Sequence, residues 1–153
     1  MSRLLASSLF GIVVFLVPMV LRASGEGKTE IDGTWEVTRF NEQGTDTSEP
    51  VRSKLVVVRE NGIQTTTKDG KPWGKKSHYS IAPNTAPKQI AFSDPDQPDK
   101  ITHIGIYEIK GDTMKMAGFV DRAKRTTERP KDFTPAEGKV VSELKRVKEK
   151  KGE

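Results

Sequence analysis

After position 25, seventeen aliphatic residues are isoleucine or valine and only two, Leu55 and Leu144, are leucine. Side chains branched at Cβ are stiff about χ1, lose freedom against a helical turn and pack well on a pleated surface. A chain that builds its core from them is directed toward sheet. The β-branched runs are short, and three sharp turn signals punctuate them: Asn61-Gly62, Asp69-Gly70 and Gly111-Asp112. Such pairs tolerate positive φ and favour tight hairpins, so neighbouring runs should pair antiparallel.

Alternation places the strands. Trp35–Phe40 sets Trp35, Val37 and Arg39 on one face and predicts a first strand. Asn41–Pro50 is polar and predicts a loop. Lys54–Glu60 is the densest apolar run and predicts a buried strand, with Ile63–Lys68 returning beside it. Further strands are expected at Lys75–Ile81, Gln89–Ser93, Ile101–Ile109 and Thr113–Gly118. The two-proline stretch Asp94–Lys100 and the charged stretch Asp121–Ala136 should be loops. Lys139–Val147 reads two ways. Val140, Val141, Leu144 and Val147 fit a helical face, whereas a strand would align Val140, Ser142, Leu144 and Arg146. Counted as a strand, it makes eight. Eight short antiparallel strands suggest a sandwich or barrel, and closure hides edges that a small polar chain could not otherwise protect.

The first 25 residues read differently. Arg3 precedes an uncharged run, Leu4–Leu21, and Ala23 and Gly25 supply small residues at the positions a signal peptidase reads. Residues 1–25 are therefore expected to be a signal peptide, with Glu26 as the new N-terminus. An uncleaved anchor is the alternative, because spanning needs roughly 17–25 apolar residues. In either case the remainder is expected outside the cytoplasm, periplasmic or secreted. Without this segment the net charge of +5 loses Arg3 and Arg22, leaving a nearly neutral domain over 26–147 and a charged tail at 148–153. The chain has no cysteine. That excludes disulfides, thiolate metal sites and a thiol nucleophile.

One resemblance covers nearly the whole exported part. Gly33-Thr34-Trp35 opens the first strand as the lipocalin signature does. The blocks IDGTWEVTR (Ile31–Arg39), PKQIAFS (Pro87–Ser93), HIGIYEIKGDTMKM (His103–Met116) and RPKDFTPAEGKVVSELKR (Arg129–Arg146) follow in order. Together they resemble a lipocalin-like domain family known mainly from planctomycete bacteria, whose members are uncharacterised in function. The resemblance implies an all-β fold, a lipocalin-like antiparallel up-and-down barrel of about eight strands. It also implies a barrel-end pair in which a basic side chain of the last strand, Arg146, lies across Trp35. The family supplies no catalytic residues. Compared with well-studied lipocalins this chain is shorter and shows no clear C-terminal helix, which argues against a deep cavity.

No motif carries catalysis. His78 and His103 have no ligand spacing, and Asp94, Asp96 and Asp99 are interrupted by Pro95 and Pro98, unlike a calcium loop. A nucleophile elbow and a phosphate-binding glycine loop are absent. The expectation is a non-enzyme without cofactor or metal. Basic residues are scattered and mostly offset by acids, so no nucleic-acid partner is expected. Membrane association is expected only if residues 1–25 stay attached. The leading expectation is an exported binding module for a small apolar ligand, with Tyr79, Phe92, Tyr107, Met114 and Met116 as cavity-lining residues. The alternative is an interaction or cell-envelope structural domain, with an envelope protein held by loops Asn41–Pro50 and Asp121–Ala136.

Overall fold

The computed structural model describes residues 28–47 and 54–148. The expected signal peptide, its cleavage point, residues 48–50 of the first loop and most of the charged tail lie outside the described residues. Ten strands follow in chain order: β1 (Gly33–Glu42), β2 (Thr45–Asp46), β3 (Leu55–Glu60), β4 (Ile63–Lys68), β5 (Lys71–Pro72), β6 (Ser77–Ala82), β7 (Lys88–Asp94), β8 (Gln97–Lys110), β9 (Thr113–Phe119) and β10 (Lys139–Arg146). The eight longer ones form an antiparallel up-and-down barrel, lipocalin-like in architecture, which β10 closes by pairing with β1. The two-residue strands β2 and β5 are appendages on β1 and β4. Lys139–Arg146 is thus a strand, because pairing with both β9 and β1 satisfies its backbone on two sides.

The turn chemistry sets the registers. Asn61 and Gly62 both take positive φ, 51° and 76°, and join β3 to β4. Gly111, at φ 59°, occupies the first central position of the two-residue turn between Lys110 and Thr113, where glycine meets no Cβ penalty.

Three local expectations are corrected. Asn41–Pro50 is not wholly loop: β1 runs on to Glu42, turns at Gln43-Gly44 and returns as β2. Asp94–Lys100 shrinks to a turn at Pro95-Asp96, where the Asp96 N–H donates to Asp94 Oδ1 at 2.9 Å. That side-chain bond tightens the turn, so β8 already begins at Gln97. Trp35, Val37 and Arg39 do not share a face. The β1–β10 register shifts between Val37 and Arg39, a bulge that re-aims the following side chains. Arg39 turns outward to Asp46 at 3.3 Å, and Phe40 goes inward.

Inward-facing residues make one continuous core: Ile31, Trp35, Val37, Val57, Tyr79, Ile81, Ile90, Tyr107, Met114 and Leu144. A smaller cluster lies outside the wall, where Phe133 packs over Ile106, Ala117 and Val141. The stretch 121–136 is strapped to the barrel. The Ile104 N–H of β8 donates to Arg125 O at 2.6 Å, beyond the point where β9 stops pairing with it. The buried Lys139 ammonium donates to Asp132 Oδ1 and Thr134 O, each at 2.7 Å.

Candidate functional site

The two ends of the barrel differ. One end is plugged by residues 29–32, which turn back under β1. Ile31 is fully buried, and the Trp35 indole N–H donates to its carbonyl at 2.8 Å. Trp35 and Arg146 are cross-strand partners, and the guanidinium lies over the indole 4.1 Å from its centroid. Such a stack contributes about 0.5–2 kcal/mol. The same guanidinium donates to Asp32 O at 2.6 Å and Glu30 O at 2.9 Å, so Arg146 ties the plug to the last strand. Gly33 permits this approach: a Cβ there would stand 2.8 Å from Arg146 Nη1.

Two tyrosines complete the plug. The Tyr79 hydroxyl donates to Asp32 Oδ1, and the Tyr107 hydroxyl donates to Glu30 Oε1 at 2.7 Å. Burial and the Asp32 carboxylate push the Tyr79 pKa up to about 12. Burial and Glu30 likewise raise that of Tyr107. Burial would raise the Glu30 carboxyl, but bonds from Lys88 and Tyr107 outweigh it and leave the pKa below its ordinary value. The plug is thus a polar network built around the buried Ile31 and Trp35.

The other end is open. There the interior holds a cavity of about 430 Å³, within the ~300–1,000 Å³ range of small-molecule sites. Its apolar wall comes from Phe40 of β1, Ile90 and Phe92 of β7, Met116 and Phe119 of β9 and Val140 of β10. Gln64, Thr66, His103 and Ser142 add polar atoms. The opening follows from weak pairing: only Ile63↔His78 and Gln64↔Ser77 join β4 to β6. Where these strands part, residues 73–76 cross the mouth, held by the Trp73 N–H donating to Thr66 O at 2.8 Å. Trp73 is 53% exposed at this rim, beside Lys75 and Lys76. Partial burial and the nearby Arg125 lower the His103 pKa, favouring neutral imidazole.

Of the five residues expected to line a cavity, Phe92 and Met116 do so. Tyr79, Tyr107 and Met114 do not. They are 3%, 0% and 0% exposed in the solid core beside the plug. Parity put all five inside; contact with the plug, which parity does not encode, divides Tyr79 and Tyr107, bonded to Asp32 and Glu30, from their cross-strand partners Phe92 and Met116. His78 pairs with Ser93 and His103 with Phe92 on β7, and of the two histidines His103 lines the cavity. Among the described residues, no group of three His, Asp or Glu side chains could hold a metal ion. No helix among them is long and apolar enough to cross a membrane.

A buried cation lies beneath the cavity. Arg59 of β3 is 2% exposed. Its Nε donates to Gln64 Oε1 at 2.8 Å, and its terminal nitrogens meet Met114 Sδ at 3.6 Å and Met116 Sδ at 3.1 Å. Burial lowers its pKa to about 10, against the raising fields of Tyr79 and Asp32, so it stays charged at neutral pH. Arg59 follows Leu55 and Val57 at every second position. That parity was the available signal for an inward charge. Nothing local distinguished Phe40, whose inward turn needs the bulge, or Trp73, whose place needs the split between β4 and β6. Comparison of the chain with protein-family models, curated proteins and solved structures finds no match.

Proposed function

We propose that this chain is an exported, non-enzymatic binding module, related to the lipocalin-like domains of planctomycete bacteria, that takes a small apolar molecule into the open end of its barrel. The observation that carries this reading is the 430 Å³ cavity with an aromatic and thioether wall. Aromatic rings supply rigid apolar area, and an unbranched thioether adapts to shape. Eight strands enclose a space just large enough for one small ligand when side chains do not fill it. Filling is complete at the plugged end and incomplete at the mouth. The strapped stretch 121–136 spends its backbone and its Phe133 on the barrel wall, which favours the cavity over the loops as the working surface.

The test is a titration with a neutral fluorophore such as N-phenyl-1-naphthylamine. Saturable binding at micromolar concentration is expected, with energy transfer from Trp73. Replacing Trp73 with Phe should reduce that transfer, because Trp73 lines the cavity itself. No saturable signal would refute the cavity as a binding site.

A further inference from the structure

We infer that the ligand is an amphiphile with a terminal carboxylate, and that Arg59 is the residue that recognises it. This rests on the cavity's being a binding site and names the chemistry of what enters it. A guanidinium carries five N–H donors and no acceptor. In Arg59 one donor meets an amide oxygen, and the others have only thioether sulfurs, which are weak acceptors. Among the described residues, no carboxylate comes within 4.0 Å of this guanidinium. Asp32, whose field reaches Arg59, is already bonded by the Tyr79 hydroxyl and the Thr29 N–H. A buried charge without a strong partner is costly, and a barrel that keeps one holds an unused binding group.

The placement gives that group an outlet. Gln64 and Met116 touch Arg59 and also line the cavity, so a single layer of side chain separates the cation from the ligand space. Met116 is flexible. Turning it aside exposes Nη2 to the cavity, and the planar fork of a guanidinium matches the two oxygens of a carboxylate. The ligand's apolar body then lies along Ile90, Phe92 and Phe40. At the entrance Lys75 and Lys76 face a single rim carboxylate, Asp94, an excess of positive charge that draws anions inward.

The experiment is displacement of the neutral fluorophore from the full-chain protein by decanoate, decan-1-ol and decyltrimethylammonium at neutral pH. Decanoate should displace it at on the order of tenfold lower concentration than the alcohol, as a charge-assisted bidentate contact provides. The cation should be weakest. Arg59→Met should erase the preference while leaving fluorophore binding in place. Gln64→Glu should also erase the preference for decanoate over decan-1-ol, with the arginine still present, by giving it an internal carboxylate. Equal displacement by decanoate and decan-1-ol would overturn the anion assignment and leave the apolar site standing. A preference that survives both substitutions would overturn the role of Arg59. Failure of the fluorophore itself to bind would remove the site on which both depend.

Discussion

Replacing Arg59 by methionine should make the ligand-free protein more stable. The guanidinium is buried, and burial drops its pKa well below the ordinary arginine value, to about 10. At ~1.4 kcal/mol per unit, keeping it charged in the folded state costs about 3–4 kcal/mol. Methionine of similar length removes that cost and sits among Met114 and Met116. Against this stands the bond to Gln64 at 2.8 Å. Its loss costs about 1–2 kcal/mol, because a charged donor is involved. Gln64 borders the cavity, so water can replace the lost donor. The balance is a gain of about 1–3 kcal/mol. With an m-value of roughly 2 kcal/mol/M, the urea midpoint should rise by about 0.5–1.5 M. The sign with pH follows from the same shift. Above about pH 10, and up to the ordinary arginine pKa, the unfolded chain holds the arginine proton that the folded chain releases, so wild-type stability climbs there and the difference from the variant shrinks. A midpoint that falls by a similar amount, with m unchanged, would refute the reasoning. It would mean that the thioether and amide contacts compensate the buried charge fully, and that Arg59 is a structural cation.

Two further outcomes probe the frame around the site. Gly105→Ala should destabilise by about 2 kcal/mol: the new Cβ would stand 2.5 Å from the Ala117 carbonyl, which is backbone and cannot step aside. A neutral result in thermal melts would show that β8 and β9 can separate there. The Glu30 carboxyl has a folded pKa below its ordinary 4.5, so its contribution is present above that value and is lost as pH falls through the lower folded one. Its ion pair with Lys88 is about one-third exposed, and solvent screening holds the effect below ~1 kcal/mol. Glu30→Gln should flatten the acid limb of stability against pH, and an unchanged limb would place the acid sensitivity elsewhere.

Much of the fold was legible because its determinants are local. Asn61-Gly62 and Gly111-Asp112 set hairpins through backbone preferences of two residues. The parity of Val140, Ser142, Leu144 and Arg146 describes the last strand, with Leu144 in the core and Arg146 over Trp35. Parity failed where the ladder slipped. The bulge after Val37 exchanged Arg39 for Phe40 on the inner face, and the compact turn at Pro95-Asp96 let β8 start four residues earlier than Ile101. Such irregularities arise from how two strands fit each other, and neither strand records them alone.

The sequence by itself determined that this chain forms a sheet, where seven of its eight long strands lie and most of the alternating residues that face inward. Those properties follow from χ1 stiffness, turn conformations and the two-residue period of a strand. Only the tertiary structure decided which inward residues are core and which are cavity. Plugging one end with residues 29–32 consumed Tyr79, Tyr107 and Met114, while the loose seam between β4 and β6 left Phe92 and Met116 facing open space. It also decided that Arg59, one charge among twenty-six basic residues, lies where water does not reach. Which inward residues meet the plug depends on closure between the first and last strands, where Arg146 ties residues 30–32 down, a contact between residues more than a hundred positions apart in the chain.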